Sequence, residues 1–463
     1  MTYKQALAYL YDLERFGIKP GLKRIKRLLE LLGNPHYELK AIHIAGTNGK
    51  GSTAAFINSI LKEAGCKAGL YISPHLINFR ERITVNGSQI PEEKVVELLV
   101  KIRPQIKKIF ADFEFGHPTF FEVVTAIAFS YFAQEKVDFA VLEAGLGGRL
   151  DATNVVEPLI SVITNSDYDH MDKLGSEITS IAREHAGIIK KDSLVITAAR
   201  GEALTVIKKV SQGQKTRLYQ VGKDIRCESL ESDWENQSFN IYPGRNSRAS
   251  RSDDKISNRV KGIFSDFENL KIPLLGKHQL VNVCCAIGAV QLLKFHNILI
   301  SDENIKRGLK KTRWPGRLEI VRRSPLIILD GAHNQPAARQ LKQSLEEFLK
   351  KKAGLILVIG ILKDKEIEKI VKELVPLAFK VVVTVPRTSR AALPEDICKV
   401  AVKYNQNVTV VREVEAAVRE SLNEAKKDDI ICVTGSLYTI GEARQFLMEE
   451  KKQCTTAVEL KKD

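Results

Sequence analysis

The chain has 463 residues, 44% of them hydrophobic, with 71 Lys+Arg against 56 Asp+Glu for a formal charge of +15. This apolar content excludes a largely disordered chain, and the length exceeds one ordinary core, so two or three domains are expected. No stretch approaches the ~20 uninterrupted apolar residues of a membrane span, and the N-terminus lacks the features of a signal peptide, so a cytoplasmic protein without a membrane partner is expected.

In chain order, the first 38 residues carry helical apolar spacing, as at Leu28, Leu29, Leu31 and Leu32, and stop at the breaker run Gly33-Asn34-Pro35. They predict a short helical preface. Residues 41–45 then read as a buried strand, 46–51 as a glycine-rich loop, and Ser52 to Ala64 as a helix, the unit of a phosphate site. Segments 137–142, 159–164 and 194–197 are strand-like, with helix-length sequence between most of them. The expected fold class is α/β: a P-loop domain with a mostly parallel sheet covered by helices on both faces.

From about 223 to 270 the chain turns polar, and the runs Pro243 to Arg248 and Ser250 to Lys255 predict an exposed insertion, flanked by short β segments and without chemistry. After Arg313-Trp314-Pro315-Gly316-Arg317 a second alternation begins, with strand-like 326–330, 355–359, 380–385, 407–411 and 429–433. This predicts a smaller Rossmann-like α/β domain, dividing the chain into residues 1–312 and 313–463. The charged tail from Glu449 is expected to fray.

The cysteines Cys66, Cys227, Cys284, Cys285, Cys398, Cys432 and Cys454 show neither CxxC nor zinc-like spacing and read as reduced, buried thiols. The adjacent Cys284 and Cys285 read as packing on one apolar helix face. Positive charge alone fits a nucleic-acid partner, but it is spread along the chain without an aromatic-interleaved stripe, and a polyanionic small substrate is favoured by the same field.

The strongest chemical signal is Gly46-Thr47-Asn48-Gly49-Lys50-Gly51-Ser52-Thr53. Glycines let backbone N–H groups approach phosphates, Lys50 adds a charge, and a helix N-terminus follows. The extra Gly51 between Lys50 and Ser52 departs from the generic P-loop pattern. Here the sequence resembles the folylpolyglutamate synthase and dihydrofolate synthase family of the Mur ligase superfamily. Further runs agree with it in family order: Ile72 to Leu76, Thr119 to Glu122, Leu142 to Asn154, Asp169-His170, Gly276 to Asn282, Pro315 to Arg317, Asp330 to Asn334 and Gly435 to Tyr438. The resemblance covers residues 40 to 445.

The resemblance implies an ATP-dependent, ADP-forming ligase that adds L-glutamate to tetrahydrofolate and/or dihydropteroate, acting as a monomer. It implies ATP contacts at Thr47, Asn48, Gly49, Lys50, Gly51, Ser52, Asn282, Arg317 and Asp330, and Mg²⁺ on Ser73, Glu143 and His170. Lys50, Glu143, His170, Arg317 and His333 are the implied catalytic set, with Ser436 beside the cleft. Thr119, Phe120, Phe121, Glu122, Leu150, Asp151 and Ala152 are the implied pterin contacts. From the residues alone, Asp330 reads equally as a helix cap, and Phe120-Phe121 reads as a core aromatic pair. The family usually has a carbamylated lysine, which helps hold a second Mg²⁺, where His185 stands; a neutral imidazole brings no carboxylate charge to such a site. A peptidoglycan-type Mur ligase would carry a nucleotide-sugar domain ahead of the loop, yet 45 residues precede Gly46. The alternative of another class is a P-loop NTPase acting on nucleic acid.

Overall fold

The computed structural model describes residues 1–112, 114–244, 262–349 and 354–459, without the side chains of 452–459. Apolar β-branched runs form the centre of an eight-stranded sheet. In spatial order its strands are Ser88–Gln89 (β4), Ile83–Val85 (β3), Ala68–Tyr71 (β2), Phe139–Glu143 (β5), Ala41–Ala45 (β1), Pro158–Ile163 (β6), Leu194–Thr197 (β7) and Arg217–Gln220 (β8). Strands β2, β5, β1, β6, β7 and β8 run parallel, and β3 and β4 close one edge antiparallel. Strand β1 lies between β5 and β6, so the loop after β1 opens where the strand order reverses, the usual place for a ligand in an open α/β sheet.

Helices Lys50–Glu63 and Lys277–Leu292 pack on one face, joining Phe56, Ile57, Cys284 and Cys285 to a core that includes Ile42 and Val162. The stretch Lys277–His296 is long and apolar enough to cross a membrane, but most of it is buried in this core. On the other face the helical preface, Tyr3–Asp12 and Lys23–Leu31, packs against Glu92–Ala111 and Phe120–Gln134. There Arg24 Nε lies 3.1 and 3.2 Å from the two carboxylate oxygens of Glu122, with the side chains only 15% and 4% exposed.

A separate six-stranded sheet has the order Glu319–Arg323 (β12), Leu326–Leu329 (β13), Ile430–Thr434 (β17), Leu355–Ile359 (β14), Lys380–Val385 (β15) and Val408–Glu413 (β16). All its pairs are parallel except β12 with β13. Alternate residues of its strands feed two cores, Ile328, Leu357 and Ile359 on one face and Ile327, Leu329, Ile356 and Val358 on the other.

Several expectations need correction. The first helix after the loop begins at Lys50, two residues earlier, because Gly49 takes φ +84 as its N-cap. The short β segments expected on the flanks of the polar region are present as Ile225–Ser232 (β9), Gln237–Pro243 (β10) and Phe267–Ile272 (β11), an antiparallel sheet whose Phe239, Ile241 and Phe267 enter the main core. The insertion itself, 245–261, lies outside the described residues. Beyond Glu449 the chain continues the helix Leu437–Glu459 instead of fraying. Strands β2, β8 and β12 escape a pattern reading for local reasons. Gly69 in β2 accommodates the Phe132 ring, which a Cβ there would meet at 2.8 Å, and β8 and β12 are polar edge strands. Cys284, Cys285 and Cys432 are buried, whereas Cys66, Cys227 and Cys398 are half-buried; all six are free thiols. The Cys454 side chain lies outside the described residues.

Removing one member of the Arg24–Glu122 pair leaves a charge out of water without its partner. Arg24→Met is expected to destabilise the protein by ~3 kcal/mol, read as a lower urea midpoint, with Arg24→Lys losing less. An unchanged midpoint for both variants would contradict this.

Candidate active site

The loop after β1 folds over the ends of β1, β5 and β6. The Thr47 hydroxyl donates to Asp167 O and accepts from Asp167 N, both at 2.9 Å. The Asn48 N–H donates to Asn165 Oδ1 at 2.9 Å, and the Thr164 hydroxyl donates to Asn48 O at 2.7 Å. Two glycines are forced by close approach: a Cβ at Gly49 would lie 2.2 Å from Asn282 Oδ1, and one at Gly51 would lie 2.6 Å from the Trp314 ring. The Lys50 ammonium bonds Gly46 O at 2.7 Å and Thr47 O at 3.1 Å. Burial pushes its pKa down, opposed by Glu143, Asp169 and Asp151.

Glu143 ends β5, and its neighbour in register on β1 is Ile44, just before the loop. Its carboxylate accepts the Ser73 N–H at 3.3 Å. Burial pushes its pKa up, opposed by Lys50, that N–H and Arg317. These residues line one cleft with His170 and His185 from the first sheet, Asn282, Trp314 and Arg317 between the sheets, and Asp330 and His333 from the second. The structure therefore brings together every sequence-derived nucleotide, metal and catalytic candidate.

Contacts across the gap are polar. Asn48 and Asn334 exchange amide hydrogen bonds at 3.3 and 3.2 Å, and Asn334 Nδ2 donates to Asp169 Oδ2 at 2.8 Å. Lys365, from the second domain, reaches Asp169 Oδ1 at 2.8 Å and lies 3.3 Å from His170 Nε2. Burial raises the Asp169 carboxyl, but His170, Lys365 and His333 outweigh it and hold it low. Burial, aided by Lys365, pushes His333 down to about 4 and lowers His170 as well. Both imidazoles are then neutral at pH 7, leaving the Lys365 ammonium as the standing counter-charge of Asp169. Asp330 accepts from the N–H groups of Leu318 and Ala332, both at 2.9 Å, so it fixes the turn beside Arg317 while lining the cleft.

The candidates for the flat ring lie elsewhere. Thr119 and Glu122 form a reciprocal cap on the helix Phe120–Gln134, and Glu122 is further engaged by Arg24. Phe120 is buried and stacks on Tyr11 with centroids 5.8 Å apart. Half-buried Phe121 lies against Gly145, where a Cβ would meet its ring at 2.6 Å. Asp151 accepts from Gly145 N, Leu146 N, Thr153 N and the Thr153 hydroxyl, which anchors the glycine-rich loop instead of leaving its side chain free. Leu150 is half-buried, and Ala152 is buried next to Asp151. Ser436 caps the last helix through Thr439 and does not line the cleft. Asp169 stood in a quoted motif without a role, and Trp314 in a junction run; Lys365 had no local signal at all.

Two α/β sheets facing each other across a phosphate loop define a Mur-type ligase. Residues 44–290 match the Mur ligase middle domain and 316–437 the Mur ligase glutamate ligase domain. The chain is 36% identical over 449 residues to the dihydrofolate synthase/folylpolyglutamate synthase of Bacillus subtilis, covering 96% of this chain and 99% of that one. It superposes on the folylpolyglutamate synthase of Thermotoga maritima with a TM-score of 0.80 at 38% identity, covering 96% of each chain. E. coli FolC in complex with DHPP and ADP gives 0.82 at 29% identity, covering 96% of this chain and 98% of that one. The chain belongs to the folylpolyglutamate synthase/dihydrofolate synthase family.

His185 donates or accepts at 2.8 Å with the Ser166 hydroxyl, and burial with Lys50 pushes its imidazole down to about 3. Lys190 points away, to Asn154 O at 3.2 Å. An unfolded chain takes up a proton at His185 near pH ~6.5 while the folded chain resists it. Its contribution to stability is therefore complete above that pH and declines as pH falls towards the folded value. The difference in urea midpoint between wild type and His185→Gln is expected to move against the wild type from pH 7 to pH 5; a pH-independent difference would refute the assignment.

Proposed function

We propose that the chain is an ATP-dependent, ADP-forming ligase that adds L-glutamate to tetrahydrofolate, extending polyglutamate tails, and/or to dihydropteroate. The observation that carries this reading is the single cleft in which the phosphate loop and Glu143 of one sheet face Asp330 and His333 of the other, with Arg317 between. Residues 1–312 serve as the ATP-binding domain and 313–463 as the glutamate ligase domain. The relative solved with DHPP and ADP supports a small-molecule site for nucleotide and pterin acid.

The loop amides, Lys50 and the helix N-terminus hold the polyphosphate, and Asn282 lies against the loop at Gly49. The substrate carboxylate attacks the γ-phosphorus, releasing ADP and forming an acyl phosphate; the glutamate amine then attacks that carbonyl and expels phosphate. Lys50 and Arg317 stabilise the developing phosphoryl charge. Neutral His333 donates from Nδ1 to Gly331 O at 2.8 Å, which leaves Nε2 as the ring's acceptor for the attacking amine's proton. Closure of the two domains keeps water from the acyl phosphate.

The donor set fits Mg²⁺. Glu143 is a buried carboxylate with one backbone donor at 3.3 Å, and Ser73, which supplies that donor, adds a hydroxyl oxygen. His170 is the weaker third partner, because its Nε2 already faces Lys365. Among the described residues no three His, Cys, Asp or Glu side chains close around a metal, so water and phosphate oxygens would complete the set. When bound, Mg²⁺ neutralises phosphoryl oxygens.

ADP release with Mg-ATP and L-glutamate is expected only when dihydropteroate or a reduced folate is present, and the two lanes separate one activity from two. ADP formed without them, or raised only by single-stranded DNA, would favour the NTPase reading. Arg317→Gln is expected to lower kcat by about 10²-fold or more with little change in folding. Gly49→Ala, strained at φ +84 and pressed on Asn282, is expected to raise the KM for ATP.

A further inference from the structure

Arg82 is 7% exposed, yet no carboxylate among the described residues lies within salt-bridge distance of it. Its Nε donates to His75 Nδ1 at 2.8 Å, and its guanidinium lies over the Phe120 ring, 5.2 Å from the centroid. His75 Nδ1 is the acceptor of that bond, so this nitrogen carries no proton. The two terminal nitrogens of Arg82 have no hydrogen-bond acceptor among the described residues, and neither is among the polar atoms sealed from solvent. A buried cation without its anion is costly, and a guanidinium with both terminal N–H groups free matches a carboxylate bidentately.

The position of Arg82 is fixed from both sides. Glu81 accepts the N–H groups of Leu76 at 2.7 Å and Asn78 at 2.9 Å, which holds the segment from Ser73 to Arg82 as one rigid turn. That segment starts at Ser73 beside Glu143 and packs Leu76 O where a Cβ at Gly441 of the other domain would meet it at 2.3 Å. Around the guanidinium stand Tyr11, Phe120 and Tyr438, two of them over a third exposed. Arg82 does not line the phosphate cleft, so it is not placed to meet the carboxylate that reacts there. In a folate bearing glutamate, the non-reacting α-carboxylate lies within about 5 Å of the reacting one by standard bond lengths. Dihydropteroate has no such group.

We propose that Arg82 receives the α-carboxylate of a pterin substrate that already carries glutamate, and so favours reduced folates over dihydropteroate. This rests on the ligase reading above. It is tested by measuring the binding of tetrahydrofolate and of tetrahydropteroyl-4-aminobutyrate, which lacks only the α-carboxylate, to wild type, Arg82→Gln and Arg82→Lys. Wild type is expected to prefer tetrahydrofolate by about tenfold or more, Arg82→Gln to bind both alike, and Arg82→Lys to recover part of the preference. A preference kept in Arg82→Gln, an equal loss for both ligands, or a raised KM for L-glutamate alone would overturn the assignment. If wild type binds neither ligand while remaining folded and binding ATP, the ligase reading fails and this inference falls with it.

Discussion

Two opposite charges, the buried Glu143 carboxylate that ends β5 and the half-buried Lys50 ammonium that opens the helix after β1, stand at one end of the sheet, and the molecule is arranged around keeping them there. Ile44 and Glu143 are partners in register, so the sheet itself sets the distance between the loop and the carboxylate. Each charge alone would cost several kcal/mol to bury. Together they lower that cost, and the remainder is offset by the surrounding apolar core, in which Ile42, Val141 and Val162 are fully buried. The same arrangement makes them reactive: a partly desolvated ammonium and a buried carboxylate bind phosphate and cation more strongly than solvated ones.

Beside the phosphate loop the second domain meets the first through hydrogen bonds, while away from it Leu76, Leu275 and Trp234 of the first domain pack on the second domain's apolar clusters. The paired amides of Asn48 and Asn334 can be exchanged for water at ~1 kcal/mol each, whereas the Lys365–Asp169 ion pair, with side chains 6% and 11% exposed, holds the two domains together more firmly. An apolar seam of the same extent would hold one geometry. Polar contacts leave the geometry of the cleft adjustable, as the proposed closure around substrates needs. Asp169 is the hub of this seam, since three elements distant in sequence converge on it.

What could be read from sequence follows how local each signal is. Strands β1, β7, β14 and β15 match their expected ranges because fully buried parallel strands are written as short apolar runs. The phosphate loop is legible because its chemistry lies in eight consecutive residues. The Thr119 to Glu122 run carried a second, missed signal: Thr-x-x-Glu before an apolar run is a helix cap, and the structure uses it so. The ion pair that completes that role could not be read, because Arg24 lies 98 residues away. Lys365 and Asp169, 196 residues apart, were illegible for the same reason. Asp330 shows that two readings need not compete, since its carboxylate caps a turn and still faces the cleft.

The charge balance of the cleft explains why a basic protein needs more than its own basicity. Lys50, Arg317 and Lys365 are countered there by Glu143, Asp169 and Asp330, and burial keeps His170, His185, His278 and His333 neutral at pH 7. The formal +15 of the whole chain therefore does not come from the cleft, and positive charge outside it steers polyanions towards the protein, screened beyond a Debye length of about 8 Å at physiological salt. Inside, a triphosphate and a substrate carboxylate enter a site that is already balanced, so the added negative charge must arrive with its own counter-ion. This is the physical reason a divalent cation would serve the proposed reaction, and Glu143, with fewer protein donors than Asp169 or Asp330, is the cleft carboxylate that would hold it.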